Sequence, residues 1–355
     1  MIYTFTVVSL LFMSLVLWDN KKKGDKMLLF AVLWLIFFEG FRWEIGTDWN
    51  HYYDFFLYGD NAHMGVSYTW LNEFVRKFTN NYTAITLLVA LVTYTTLFFL
   101  LKKYSPSPIM SIMIVFCSMI GMLGSNRQFI AMMICIGSLY FVFNRKLWLF
   151  MAAIALAISF HITALIFIPA YFIYGKKVSS RTVMVLVILA FLFSLSKVVN
   201  KIPFVEYLAM MDNISSGSTS LESYVDSFSG NVSIVGSLKR ILFIYLAVEA
   251  REKIKNPNYD YFLFLYAVGT IIYLLFNGSV LQLMAGRGAA YYNIFECIVI
   301  PYVILNFPVS QQLRRLVWVG FFVLYFYLMW RDMNSYYLLD GVDIYNPYKN
   351  VLFGG

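Results

Sequence analysis

Apolar runs separated by short polar breaks recur along the whole chain, and this alternation limits what the chain can fold into. Hydrophobic residues make up 61% of the sequence and charged residues 13%, against about 45–50% and about 25% in soluble domains. We therefore predict an all-α polytopic membrane protein with about 12 transmembrane helices, several of them short, in a single integral membrane domain over residues 1–355. The predicted spans are 2–18, 27–41, 83–101, 108–124, 128–143, 147–160, 162–174, 182–199, 236–249, 260–277, 288–306 and 316–330.

The breaks between the runs are of two kinds. Three are long, polar and aromatic: residues 42–82, residues 200–235 and the tail 331–355. The others are short and basic, and together they hold sixteen of the 27 Lys and Arg residues: KKKGDK (21–26), KK (102–103), RK (145–146), KKVSSR (176–181), REKIK (251–255) and RR (314–315). Because short basic loops remain in the cytoplasm during insertion, we predict that the two long loops and the C-terminal tail lie on the outer face.

Residues 147–174 allow two topologies. Two short spans of about 21 Å each would form a hairpin, whereas one tilted helix of about 42 Å would also cross a bilayer core of about 30 Å. The single helix would reverse the orientation of everything downstream. The compact basic clusters favour the hairpin, which places His161 at its outward-facing turn.

Polar and ionisable residues are spread over the breaks predicted to face outward. Such groups are costly at membrane depth and tend to face a cavity or one another, so they predict a depression that opens outward. Small neighbours flank Arg127 and Arg287 and would let an anionic group approach closely. The candidate residues are Arg42, Glu44, Asp48, His51 and Asp54 in the first loop, Arg127 and Gln128 in SNRQ, His161 in SFHITA, and Arg287 in AGRGAAYY.

Several of these residues have a purely structural alternative. Arg42 fits an interfacial residue whose charged end reaches the membrane surface. His161 fits a hydrogen-bonded core histidine, and the aromatics of WNHYYDFF fit an interfacial belt. The three cysteines, Cys117, Cys135 and Cys297, lie in apolar runs without metal-binding spacing and are expected in the core.

Five segments carry a resemblance to a known family. They are FRWEIGTDWNHYYDFF (41–56), NRQFIAMMI (126–134), SFHITALIFIP (159–169), GRGAAYY (286–292) and NPYK (346–349). Together they resemble the EpsG family, multi-pass proteins of bacterial exopolysaccharide and O-antigen gene clusters that are related in role to the Wzy polymerases. The most specific part is the R-x(3)-G-T-D-x(3)-Y pattern formed by Arg42, Gly46, Thr47, Asp48 and Tyr52.

The resemblance implies a glycosyltransferase with the GT-C-like architecture of lipid-linked glycan polymerases and ligases. Such an enzyme transfers a growing glycan from undecaprenyl pyrophosphate to a lipid-linked repeat unit on the outer face of the membrane. The implied location is the bacterial inner (cytoplasmic) membrane, with the active site facing the periplasm or cell exterior. The implied partners are the undecaprenyl-pyrophosphate-linked oligosaccharide, the lipid bilayer, and a chain-length regulator and a flippase of the same pathway. No cofactor, metal or nucleic acid is expected.

The implied reaction assigns roles to the candidate residues. Arg42, Arg127 and Arg287, with Gln128, would bind the pyrophosphate, since a guanidinium makes bidentate contacts to phosphate oxygens. Asp48 is the first candidate for the general base and His161 the second. Trp49, Tyr52, Tyr53 and Tyr291 would contact the glycan, as aromatic side chains with a polar end do at wet sites.

Two other functions remain open from the residues alone. An O-antigen ligase-type glycosyltransferase would use the same architecture and the same charged groups. A lipid-linked glycan transporter or flippase would also line a cavity with arginines, although it would be expected to show paired broken helices and an internal repeat, and no repeat is evident.

Overall fold

The computed structural model describes residues 1–18, 20–59, 64–196, 232–279, 281–282, 284–340 and 343–353. Within these ranges the chain is helical and contains no β-strand. The α-helices are α1 (Ile2–Val16), α2 (Lys21–Gly40), α3 (Trp49–Tyr58), α4 (Val66–Arg76), α5 (Thr83–Tyr104), α6 (Pro108–Met119), α7 (Asn126–Phe143), α8 (Leu147–Phe160), α9 (Pro169–Ile173), α10 (Ser180–Leu195), α11 (Ile234–Ala250), α12 (Tyr259–Phe276), α13 (Ala289–Asn293), α14 (Glu296–Leu305) and α15 (Gln311–Asp340). Ile120–Met122, Ile162–Phe167 and Arg251–Lys253 are 3-10 helices, and Met284–Gly288 is a π-helical turn.

Local sequence signals explain where several helices begin. The side chain of Asn20 accepts a hydrogen bond from the backbone N–H of Lys23 at the start of α2, and Ser179 and Ser233 do the same for α10 and α11. Such caps satisfy backbone donors that have no partner inside the helix. Pro108 occupies the first position of α6, where its missing N–H removes no helical bond.

Four of the described helices are long and apolar enough to cross a membrane: Thr83–Tyr104, Asn126–Phe143, Tyr259–Phe276 and Gln311–Ser335. A fifth candidate is the pair Met284–Asn293 and Glu296–Leu305, which bends by 54°. Shorter apolar segments are Ile2–Val16, Pro108–Met122, Leu147–Phe160, Ile162–Ile173 and Ser180–Leu195. The apolar runs of the sequence lie on described helical segments, apart from residues 197–199 of the run 182–199, which lie outside the described residues. The protein is therefore an all-α polytopic membrane protein. The number of about 12 crossings stays a prediction, because several segments are shorter than the roughly 20 residues a crossing takes.

Residues 147–174 form a helical hairpin with its turn at His161. The backbone of His161 is extended, with φ −152° and ψ 122°, which ends α8. At the other end of the segment, Arg145 donates a hydrogen bond to the carbonyl oxygen of Tyr174 at 2.7 Å, and its guanidinium lies 4.6 Å from the centre of the Tyr174 ring. The two ends of the hairpin therefore meet, so a single tilted helix is excluded and the two short antiparallel segments are confirmed.

The three long polar breaks differ in structure. The first, 42–82, contains the helices α3 and α4. Most of the second, residues 200–231, lies outside the described residues. The predicted tail 331–355 starts inside α15, because that helix continues beyond the first charged residues to Asp340.

Candidate active site

The first loop reaches the start of α7 through a close contact between two glycine-containing turns. The backbone N–H of Thr47 donates to the carbonyl oxygen of Leu123 at 2.8 Å. Gly46 and Gly124 have φ of +111° and +106°, and a Cβ atom on Gly124 would stand 2.9 Å from the Thr47 nitrogen. Only glycine adopts such a backbone at this distance without strain. Gly124 is one of the small residues near Arg127 that were expected to let an anionic group approach, and in the structure it makes room for the first loop.

This contact places Asp48 beside the first turn of α7. The hydroxyl of Ser125 donates to Oδ2 of Asp48 at 3.3 Å. Asp48 is half-buried and precedes α3 directly, without capping it through its side chain. Gly46 and Thr47 thus form a tight turn that holds the Asp48 carboxylate next to the residues expected to bind phosphate.

Arg42 lies inside the protein and does not reach the candidate site. It is 1% exposed. Its guanidinium donates to the carbonyl oxygens of Ile45 (3.2 Å) and Glu39 (2.8 Å) and to Oδ1 of Asn126 (3.0 Å). The placement therefore supports neither the pyrophosphate ligand nor the interfacial residue expected from the sequence. Instead, Arg42 joins the end of α2 to the start of α7.

The C-terminal tail holds the first loop from its other side. Arg42 pairs with Asn350 in an isolated antiparallel bridge, and the N–H of Trp43 donates to the carbonyl oxygen of Lys349 at 3.1 Å. Lys349 also forms an ion pair with Glu44. The NPYK motif in the tail therefore helps to hold the first loop in place. Glu44 is paired with the tail and does not belong to the site.

Two arginines distant in sequence converge near the turn of the hairpin. Arg127, in the first turn of α7, donates through Nε to the hydroxyl of Tyr52 at 3.3 Å and lies 5.9 Å from the centre of that ring. Arg287 belongs to the turn Met284–Gly288 and is half-buried. Its guanidinium makes no hydrogen bond or ion pair within the described part of the chain, so it is available to a ligand. Hydrogen bonds from Gln128 to the Arg287 carbonyl oxygen and from Thr163 to Tyr291 join this region to α7 and to the hairpin turn.

Gln128 positions Arg287 and is not itself open to a ligand. It is 2% exposed, and its side-chain nitrogen donates to the backbone oxygen of Arg287 at 2.8 Å. The pyrophosphate contact expected of Gln128 is therefore not supported. The bond connects α7 directly to the turn that carries Arg287.

The His161 ring is held by a short hydrogen-bonded chain. Its Nδ1 lies 2.6 Å from the hydroxyl oxygen of Thr163, which in turn donates to the hydroxyl of Tyr291 at 3.2 Å. The backbone N–H of Thr163 also donates to Nδ1 at 3.4 Å, so the imidazole caps the 3-10 helix Ile162–Phe167. Tyr291 is fully buried and takes part in this series of hydrogen bonds. Its placement does not support the glycan contact expected from the sequence.

The other aromatics of the first loop pack against one another. Trp49 is 5% exposed and stacks on Tyr53 with ring centres 4.7 Å apart. Tyr52 is 3% exposed, and its burial raises the pKa of its hydroxyl, an effect that the positive charge of Arg127 opposes. Of the aromatics predicted to contact glycan, Tyr53 alone is half-buried, whereas Trp49, Tyr52 and Tyr291 are buried.

A second contact ties the first loop to the hairpin. Gly65 has a φ of +76°, and a Cβ atom there would stand 3.0 Å from the carbonyl oxygen of Ser159. Two residues later, the hydroxyls of Ser67 and Ser159 lie 2.6 Å apart. The loop is anchored both to α7 and beside the hairpin turn. These two anchors fix the positions of Asp48, Arg127 and His161 relative to one another. His51 and Asp54 are exposed outside this arrangement.

A second charged cluster was missed in the sequence, because its members lie within runs assigned as apolar spans. Lys239 in α11 forms an ion pair with Glu296 in α14 at 3.1 Å. The Glu296 carboxylate also accepts hydrogen bonds from the hydroxyls of Tyr266, at 2.8 Å, and Tyr325. The sequence did contain a signal for this cluster, namely charged residues inside two apolar runs. Ionisable residues in such runs seldom lack a partner or a function.

The described residues contain no group of three His, Cys, Asp or Glu side chains that could hold a metal ion. Cys117, Cys135 and Cys297 are free and buried, which confirms their expected place in the core.

Comparison with known proteins identifies the family. No curated protein and no solved structure matches the chain significantly. The EpsG family model matches residues 25–350, a range that includes the first loop, both site arginines, the hairpin and most of the tail. The chain therefore belongs to the EpsG family.

Proposed function

We propose that the protein is a polysaccharide polymerase that transfers a growing glycan from undecaprenyl pyrophosphate to a lipid-linked repeat unit. The observation that carries this proposal is the set of hydrogen bonds that joins the segments of Asp48, Arg127, Arg287 and His161 to one another. Membership of the EpsG family supports a polymerase-like function. In this proposal a flippase supplies the repeat units and a chain-length regulator limits the product.

The arginines would stabilise the departing pyrophosphate. In the transfer, the bond between the anomeric carbon and a pyrophosphate oxygen breaks, and its electron pair stays on the pyrophosphate. The growing negative charge needs fixed positive charge, which guanidinium groups provide through two parallel hydrogen bonds. Arg287 has no competing partner among the described residues, and Arg127 is held in place by Tyr52.

Asp48 would act as the general base. The acceptor hydroxyl oxygen bonds to the anomeric carbon while its proton passes to the carboxylate, and a positioned base contributes about 10²–10⁴-fold. Ser125 donates to one Asp48 oxygen, which leaves the other for the substrate proton. His161 remains the second candidate. Burial disfavours a charged imidazole, and the charges of Arg127 and Arg287 do so as well, so a neutral ring that donates or accepts a hydrogen bond fits the site better.

The proposal includes the outward orientation of the site and about 12 crossings. Single cysteines at Asn50 and Ser179, both exposed, are expected to respond differently to a membrane-impermeant thiol reagent. Position 50 should be labelled in intact cells and position 179 only after lysis, because the basic cluster around 179 belongs in the cytoplasm. The parent protein should show little labelling, since its three cysteines are buried. Labelling of position 179 alone in intact cells would invert the topology.

Glycan profiles of a deletion strain test the reaction class. Loss of the polymerase is expected to leave single repeat units on the lipid carrier or on the final acceptor, with long chains absent. Re-expression of the wild-type chain should restore them. Long chains that persist on the carrier without reaching the acceptor would instead identify a ligase. Repeat units confined to the cytoplasmic face would identify a flippase.

A further inference from the structure

A cavity of about 270 Å³ lies next to the candidate active site without sharing its charged residues. It is bordered by the end of α6, the beginning of α11, the end of α12, the bend between α13 and α14, and residues 324–332 of α15. Ala285 and Gly286 line it, and they belong to the same short turn as Arg287. Its volume is just below the range of about 300–1,000 Å³ typical of small-molecule pockets, enough for a charged headgroup but not for a whole glycan.

The described lining carries an excess of positive charge. Lys239 is paired with Glu296, and Arg331 is paired with Asp332 at 2.6 Å. The third cation, Arg240, has no carboxylate within ion-pair distance among the described residues. An uncompensated charge inside a membrane protein is costly and usually marks a binding site or pathway.

Arg240 is held in an orientation suited to a ligand. Its guanidinium lies 3.5 Å from the centre of the Tyr273 ring, and one of its terminal nitrogens donates to the carbonyl oxygen of Gly236 at 3.2 Å. Stacking on an aromatic face fixes the guanidinium plane and leaves its edge free for hydrogen bonds. Within the described residues, its Nε and its second terminal nitrogen make no hydrogen bond.

Asn293 adds an independent polar group. It lines the same cavity, and its side-chain oxygen is buried without a hydrogen-bond partner among the described residues. A buried polar atom left unpaired costs about 1–3 kcal/mol. An amide oxygen only accepts hydrogen bonds, so a water or a sugar hydroxyl would remove that cost, whereas a phosphate oxygen would not. The cavity therefore offers unused donors on Arg240 and one unused acceptor on Asn293.

We propose that this cavity binds the diphosphate of a second lipid-linked substrate, the acceptor repeat unit. The inference rests on the proposed polymerase function, in which donor and acceptor carry the same lipid diphosphate. The donor diphosphate lies at Arg127 and Arg287, and the acceptor diphosphate lies at Arg240. The turn Met284–Gly288 contributes to both sites through Arg287 and Gly286, respectively.

Native mass spectrometry of the purified full-length protein tests this assignment with sugar-free undecaprenyl diphosphate as the probe. The wild-type protein is expected to bind two molecules. Arg240→Gln should weaken one of the two binding events by about tenfold or more, as loss of a hydrogen bond to a charged group does. Arg240→Lys, which keeps the charge and is the variant more certain to fold, should weaken it severalfold. Lys253→Gln, at an exposed position away from the cavity, should bind two molecules like the parent.

Competition identifies the source of the bound group. Inorganic pyrophosphate is expected to displace the Arg240-dependent molecule, whereas dioleoyl phosphatidylglycerol at equal concentration should not. Equal displacement by phosphatidylglycerol would show a phospholipid headgroup site and overturn the inference.

The proposed function can fail separately from this inference. A wild-type protein that binds one molecule, lost in Arg287→Ala and retained in Arg240→Gln, would refute the second site alone. Two bound molecules in Arg287→Ala and one in Arg240→Gln would instead support the cavity and contradict the proposed donor site.

Discussion

Alanine at Arg127 or Arg287 is expected to abolish long glycan chains while the amount of protein in the membrane stays unchanged. Each substitution removes a fixed positive charge from the site where the pyrophosphate departs, and loss of one such donor typically costs about 10²–10³-fold in turnover. Lysine should restore little, because it keeps a point charge but lacks the planar fork. The measurement is polymerisation of purified lipid-linked repeat units in nanodiscs, together with donor-binding affinity.

Two control variants separate this effect from a general loss of charge or stability. Lys177→Ala removes an exposed positive charge near the other end of the hairpin and should leave polymerisation intact. Arg42→Lys should act on stability, because it disrupts three buried hydrogen bonds, to Glu39 in α2, to Ile45 in the first loop and to Asn126 in α7. Its melting temperature should fall. Normal turnover in both Arg127→Ala and Arg287→Ala would remove the basis of the proposed donor site.

The second large effect is expected at Asp48. Asparagine preserves the shape of the side chain and its contact with Ser125 but cannot take up the hydroxyl proton. Asp48→Asn should therefore lose about 10²–10⁴-fold in turnover with donor affinity unchanged. The same nanodisc assay and the same binding measurement distinguish this loss from the loss expected of the arginine variants, which affects donor binding as well.

His161→Gln provides the comparison for Asp48. If the imidazole only orients the pyrophosphate or the loop, this variant should be milder than Asp48→Asn. An inactive His161→Gln beside a nearly normal Asp48→Asn would assign the base to the histidine. Activity in both variants would show that no protein base is needed and that departure of the arginine-bound pyrophosphate carries the catalysis.

The helical architecture and the hairpin could be predicted from the sequence alone. Apolar runs are a local property, since every backbone group in a bilayer must be hydrogen-bonded within its own segment. The position of each run therefore identified a helix. The basic residues at 145–146 and 176–181 also indicated that the segment between them returns to its starting side, and the contact between Arg145 and Tyr174 confirms it.

The sequence also identified which polar residues needed an explanation, because ionisable groups are costly among apolar ones. It predicted that Asp48, Arg127, His161 and Arg287 lie on one face of the protein, and hydrogen bonds join the segments that carry them. That prediction followed from the alternation of short basic breaks with long polar ones, which assigns these residues to the same ends of the helices.

The partner of each charged group was decided by the tertiary structure alone. Arg42 and Arg287 both looked like phosphate ligands, yet Arg42 is enclosed by Glu39, Ile45 and Asn126, whereas Arg287 has no described side-chain partner. Gln128 and Tyr291 likewise make internal hydrogen bonds. Hydropathy reports whether a residue leaves water but not which distant helix it meets. The packing of helices far apart in sequence therefore determined which charges stabilise the fold and which remain available to a ligand.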